Sequence, residues 1–117
     1  MSDILTLEAG EQAAGIAARR ISAQALMRAT LERIEEANGA LTAVGSLGDA
    51  QGLMDEARAA DERPVRGVLH GLPLAVKDLA DARGLPTSQG SPAFAGRIAQ
   101  SDAPHVARLR AAGAIVI

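Results

Sequence analysis

Lys77 is the residue of this chain whose type and place could do chemistry. It ends a short apolar run, Leu72 to Val76, entered through Gly71 and Pro73 and left through Asp81, Gly84 and Pro86. An apolar run bounded in this way by turn formers predicts a strand buried on both faces. Lys77 is then expected near the carboxyl end of that strand, where open α/β sheets place their ligand crevices. Two readings of it are open. A strand-end lysine can lay its stem over apolar surface and keep its ammonium in water. It can also be held partly desolvated, as a base. A free lysine titrates near pH ~10.4, so a lysine base working near neutrality must have given up about 4 kcal/mol of its preference for the proton. Burial or a neighbouring positive charge can supply that.

The other reactive side chains compete poorly with Lys77. Asp78 follows it directly, and adjacent residues on a strand point to opposite faces. Asp78 is therefore expected to accept backbone N–H bonds in the following turn rather than to pair with Lys77. Ser88 and Ser91 raise a local Ser–Lys dyad, and Ser91, between Gly90 and Pro92, has the setting of an exposed nucleophile. No distance between serine and lysine follows from spacing, however. His70 could serve as a general base, but it stands in the turn ahead of the strand, which favours a structural role. His70 and His105 are the only histidines and cysteine is absent, so no metal-ligand cluster forms and no metal or cofactor is expected. Asp55, Glu56, Asp61 and Glu62 read as a solvated helix face. Arg19 and Arg20 read as a capped helix end rather than an anion site.

Several elements must position Lys77. A helix is predicted over 4–20, with Thr6 as its N-cap. The clearest helix runs over 23–37 behind Ser22. Its apolar stripe is Ala23, Leu26, Met27, Thr30, Leu31 and Ile34, and Asn38 and Gly39 are expected to end it. Met27 reads as core filler. A short strand is predicted over 41–47, then a helix from the cap Asp49 to about Asp61, then a loop over 63–71. Residues 79–99 are rich in turn formers and read as a long loop of the functional or disordered kind. A last helix is predicted behind Ser101 or Asp102, with Pro104 in its first turn and Gly113 as its stop. Ala114 to Ile117 then form a second buried strand. Strand, loop, helix and strand in this order make a βαβ crossover, which favours parallel pairing.

Composition bounds the rest. The chain has 117 residues, room for one small domain. Its hydrophobic fraction is 48%, but much of that is alanine and Phe94 is the only aromatic, so the core is expected to be light. A formal charge of −2 provides no basic footprint for nucleic acid. No apolar run is long enough to span a bilayer, and the N-terminus lacks a signal pattern. A cytoplasmic protein with no membrane and no nucleic-acid partner is the expectation.

The segment from Leu69 to Asp78 (Leu-His-Gly-Leu-Pro-Leu-Ala-Val-Lys-Asp) and the segment from Gly84 to Phe94 (Gly-Leu-Pro-Thr-Ser-Gln-Gly-Ser-Pro-Ala-Phe) closely resemble the amidase signature family. The stretch from Asp102 to Ala114 resembles it too, in the same order and at similar spacing, and Ile21 to Ala23 and Thr30 to Ile34 fit more weakly. The resemblance covers nearly the whole chain and is densest from Gly67 onward. Ala80, Arg83 and Gln89 depart from the residues common there, at packing or loop-surface positions.

The resemblance implies a serine hydrolase acting on amides through a Ser, cis-Ser, Lys triad and an acyl-enzyme. Lys77 matches the catalytic lysine, and the position matching His70 is not a catalytic one. The lysine would exchange protons with the cis-serine, which activates the nucleophile. In the family both serines lie downstream in a Gly/Ser-rich motif, and no segment here matches it. The expectation is therefore α/β: N-terminal helices packed on the beginning of a mixed, largely parallel sheet. Residues 1–62 would be mainly helical and 63–117 the start of the catalytic sheet, together the N-terminal part of a single amidase domain. The complete enzyme would take a small-molecule amide and no cofactor. The isolated chain, lacking the serines and the C-terminal part of the fold, is expected to be inactive. Two rivals remain: an amidotransferase subunit using glutamine, and a non-catalytic truncated protein that pairs its last strand with itself as a homodimer or with a partner.

Overall fold

The computed structural model describes residues 3–117 as four helices and a two-stranded sheet. The order is α1 (Ala9–Ala17), α2 (Ala23–Leu41), α3 (Ala50–Glu62), β1 (Pro73–Leu74), α4 (Pro104–Ala111) and β2 (Ile115–Val116), with 3-10 turns at Ile4–Thr6 and Pro92–Phe94. The expected α/β class stands, and β1 pairs with β2 in parallel, as a βαβ crossover requires.

The helical starts follow local chemistry. The Ser22 hydroxyl accepts from the Ala25 amide at 3.0 Å, and the Asp49 carboxylate accepts from the Gly52 amide at 2.8 Å. Both residues cap as their types predict. The first helix is shorter than expected. Thr6 does not cap it, because its hydroxyl donates to Asp3 O at 2.7 Å inside the 3-10 turn. Glu8 holds the N-cap instead, its amide bound by the Glu11 carboxylate at 2.8 Å. Arg19 lies just past the Ala18 C-cap of α1, and its side chain serves the end of another helix instead of its own. The Arg19 guanidinium donates to Asp61 O at 2.8 Å and Arg63 O at 2.7 Å, tying α1 to the carbonyl end of α3. Asp61 answers with its carboxylate, accepting from the Ala23 amide at 2.7 Å and the Gln24 amide at 3.1 Å at the start of α2.

Three further predictions change. Helix α2 runs through Asn38 and Gly39 to Leu41, and Thr42 takes the left-handed C-cap conformation at φ 46°. The strand predicted over 41–47 is absent. The Asn38 side chain occupies both backbone groups of Val44, donating to its carbonyl at 2.9 Å and accepting from its amide at 2.8 Å. A backbone satisfied by a side chain has no ladder left to form there. The last helix also lacks its predicted cap. Ala103 is the N-cap, and Asp102 turns away to accept from the Arg83 amide at 2.8 Å and to pair with Arg110 Nε at 2.9 Å.

The strand at Leu72 to Val76 is shorter and less buried than its composition predicts. Only Pro73–Leu74 pairs, opposite Ile115 and Val116. Leu72 O accepts from Ile115 N at 2.8 Å and Leu74 O from Ile117 N at 3.0 Å. Pro73 has no N–H to give a second neighbour. Leu72 is buried, but Pro73 and Leu74 are half-buried and Ala75 is exposed. Strand β2 is the one covered on both sides. Ile115 and Ile117 pack with Ala23, Met27, Leu53, Ala57 and Ala60 of α2 and α3, while Val116 packs with Val106 of α4 and Ala82. Ile16, Leu26 and Leu72 make a separate cluster. Met27 is core filler as expected. The light core is real: alanines occupy much of it, and Phe94 stands 45% exposed.

Candidate active site

Lys77 leaves β1 by three residues and lies in a cleft of about 390 Å³. One wall is the irregular segment Val44 to Ser46, held in place by Asn38. Val76, Ala80, Leu85 and, at the carboxyl end of β2, Ile117 also line the cleft. A crevice at the carboxyl ends of parallel strands is where such sheets bind ligands. Lys77 itself is exposed, so the described residues do not supply the desolvation that a buried strand end promised. No carboxylate within ion-pairing distance of its ammonium is found among the described residues.

Asp78 is bonded across the loop rather than within the next turn. One carboxylate oxygen accepts from the Ser88 amide at 2.7 Å, and the other accepts from the Ser88 hydroxyl. The Asp78 carbonyl takes the Gln89 amide at 3.1 Å. Gln89 and Gly90 are both left-handed, at φ 55° and 71°, which closes the turn around Ser88. Ser88 thus lines the Lys77 cleft with its hydroxyl already committed. The rival nucleophile Ser91 is committed as well: its Oγ accepts from the Ala93 amide at 3.3 Å and starts the 3-10 turn. Neither serine is hydrogen-bonded to Lys77 among the described residues, so a local Ser–Lys dyad is not assembled.

The bonds to Asp78 all favour its ionised form. The Ser88 hydroxyl, then the Ser88 amide, hold the carboxyl below the ordinary aspartate value, against a smaller desolvation effect that raises it. A lowered carboxyl contributes its bonds fully above the ordinary aspartate value and loses them as pH falls through the lowered one. Hydrogen exchange should therefore find the Ser88 amide protected down to about pH 4 and losing protection only below it. Loss of protection beginning above pH ~5 contradicts this assignment.

His70 has a structural place. It is buried, its Nδ1 accepts from the Arg66 amide at 3.0 Å, and its Nε2 lies 2.8 Å from Ala60 O. The proton therefore sits on Nε2, and the ring staples the loop to α3. Both ring nitrogens are occupied, which leaves none for catalysis. Among the described residues no cluster of His, Cys, Asp or Glu is arranged to hold a metal ion. No helix there is long and apolar enough to cross a membrane.

Sequence reasoning missed two parts of this site. The wall from Val44 to Ser46 was hidden by its strand-like composition, although Gly45 and Gly48 were signals against a strand. The partnership of Asp78 with Ser88 spans ten positions and left no local signal.

Comparison with known proteins gives a consistent result. A family model described as Amidase matches residues 25–117. A glutamyl-tRNA(Gln) amidotransferase subunit from Acidothermus cellulolyticus is 41% identical over all of this chain, which covers 24% of that protein. An indoleacetamide hydrolase of Bradyrhizobium diazoefficiens is 39% identical over 92% of the chain and 21% of its own length. The native peptide amidase of Stenotrophomonas maltophilia superposes with a TM-score of 0.85 at 34% identity, over 96% of this chain and 24% of that one. The chain thus spans about a quarter of the length of the curated relatives it matches.

Proposed function

Because this chain belongs to the amidase family, we propose that it carries the lysine-bearing part of an enzyme that hydrolyses carboxylic amides, with Lys77 as the base. The observation that carries the reading is the place of Lys77. It lies inside the matched span, beyond the end of a parallel strand, in a cleft lined by both apolar and polar residues. The complete enzyme would convert an amide and water to a carboxylic acid and ammonia or an amine. A serine would attack the carbonyl carbon, the amine would leave with a proton, and water would then release the acyl group. Lys77 would take the serine's proton by way of the cis-serine and return it to the leaving amine. Both serines and the oxyanion donors would come from the rest of the fold. Residues 1–62 and 63–117 would form one domain with that remainder, in the cytoplasm, without a cofactor.

The first test is the intact mass of the native gene product, followed by its turnover of acetamide, hexanamide, benzamide and glutamine. A mass several times that of the 117-residue chain, with release of ammonia from a member of this panel, is expected. The 117-residue chain alone should release none. A native product of the same length as this chain with no turnover overturns the amidase reading and favours the non-catalytic one.

The 41% identity to an amidotransferase subunit supports a second reading. There the same chemistry would act on glutamine and pass ammonia onward. Glutamine as the preferred member of the panel, together with partner subunits that co-purify, selects it.

A further inference from the structure

Lys77 sits on a stretch with little regular support. Upstream, the last ladder bond is the one from Ile117 N to Leu74 O, at 3.0 Å. Ala75, Val76 and Lys77 follow outside the strand. The next residue, Asp78, is fixed at three points: by the Ser88 amide and hydroxyl through its carboxylate, and by the Gln89 amide through its carbonyl. Ser88 is itself braced, since its Oγ accepts from the Gly90 amide at 3.3 Å. The loop beyond is anchored in turn. Thr87 N donates to Arg97 O at 2.9 Å, and the Arg97 guanidinium pairs with both Asp81 oxygens at 3.2 Å. Asp78 and Ser88 therefore join the segment that carries Lys77 to a braced loop, and both line the cleft in which Lys77 lies.

We propose that Asp78 and Ser88 are positioning residues that hold Lys77 in its cleft for proton transfer. This rests on the reading of Lys77 given above. The chemistry of the pair is specific. An amide and a hydroxyl both donate to one side chain, which accepts on both oxygens. An ionised carboxylate makes both bonds charge-assisted; a carboxamide accepts at one end only, and its N–H meets Ser88 Oγ only if the hydroxyl turns round to accept. Asp78→Asn keeps shape and size yet removes the charge and forces that reversal on a hydroxyl that already accepts from the Gly90 amide. Ser88→Ala removes the hydroxyl and leaves the amide. Ser88→Thr keeps the hydroxyl.

The test uses the native gene product and the member of the amide panel it turns over fastest. Asp78→Asn is expected to lower kcat on the order of 10²-fold, because a lysine displaced by about 1 Å loses its line to the proton. KM should move by no more than about twofold, since substrate binding is not touched. Ser88→Ala should lose kcat in the same sense, and Ser88→Thr should recover most of that loss. Amide exchange of residues 78–90 should rise in Asp78→Asn without a change elsewhere. Lys77→Ala is the control that separates two failures. If Lys77→Ala is inactive while Asp78→Asn and Ser88→Ala keep wild-type kcat, the clamp is wrong and the reading of Lys77 stands. If Lys77→Ala keeps wild-type activity, or no amide is turned over by the native product, the reading of Lys77 falls and the clamp with it. Equal loss in Ser88→Thr and Ser88→Ala reduces the pair to a structural role and also overturns the proposal.

Discussion

With Lys77 as the proposed base, replacing it by alanine in the native gene product is expected to lower kcat for amide hydrolysis on the order of 10⁴-fold, the scale of losing one member of a catalytic triad. The loss should fall on kcat, because a proton-transferring group acts on the transition state and adds little to ground-state binding. The fold should not notice. In the 117-residue chain Lys77 is exposed and has no ion-pair partner among the described residues, so removing its side chain there changes stability by no more than about 0.5 kcal/mol. Lys77→Arg distinguishes proton transfer from simple positive charge. A guanidinium does not give up its proton near neutrality, so arginine keeps the charge and fails as a base. Amide turnover, measured with denaturation midpoints for both variants, decides the matter. Full activity in Lys77→Arg would reduce Lys77 to an electrostatic role. Low activity matched by a lower midpoint would make the loss one of folding.

Gly113→Ala carries the largest expected cost to stability, about 4 kcal/mol or more. Gly113 lies just beyond α4, at φ +104°, where the chain turns straight into β2. A Cβ at this position would fall 2.5 Å from His70 Cα and 2.8 Å from His70 N. Both are backbone atoms of a buried residue that is itself stapled to Arg66 and Ala60. The turn of residues 67–72 and the end of α4 are also hydrogen-bonded to each other. Leu69 N donates to Ala112 O and Gly71 N to Gly113 O, each at 3.0 Å. No flexible side chain is available to move aside, so β2 must shift from β1 or the turn must open. Gly84→Ala is the matched control. Gly84 has φ +86°, but nothing lies within 4 Å of its added Cβ. It pays only for backbone strain, about 1 kcal/mol. Urea midpoints of the two variants in the native gene product separate the effects. A cost for Gly113→Ala no larger than that for Gly84→Ala refutes the close approach.

The parts of this structure that were legible in the sequence are those decided within about four residues. Ser22 and Asp49 cap because their oxygens reach the amide three residues on. The stripe of α2 is periodic because a helix repeats every 3.6 residues, and Met27 follows it into the core. Gly113 ends α4 because the left-handed turn that stops a helix favours glycine. The motif around Lys77 is likewise a matter of residue order. It places the chain in its family, and the parallel pairing follows from the crossover rule.

What the tertiary structure decided are the contacts made between residues far apart in sequence. Composition predicts strands at 41–47 and 72–76. A strand exists only where a second backbone is offered, and Asn38 took the Val44 backbone while β2 paired only with Pro73 and Leu74. Asp61 looked like one carboxylate on a solvated helix face; folding brings it to the open amides of α2, some 38 positions away. His70 became a staple because α3 presents the Ala60 carbonyl to its ring. The place of Lys77 just beyond the carboxyl end of β1 was legible. Its exposure, and the clamp of Asp78 on Ser88 beside it, were not, because hydrogen bonds and burial depend on which distant groups arrive and residue order does not encode that locally.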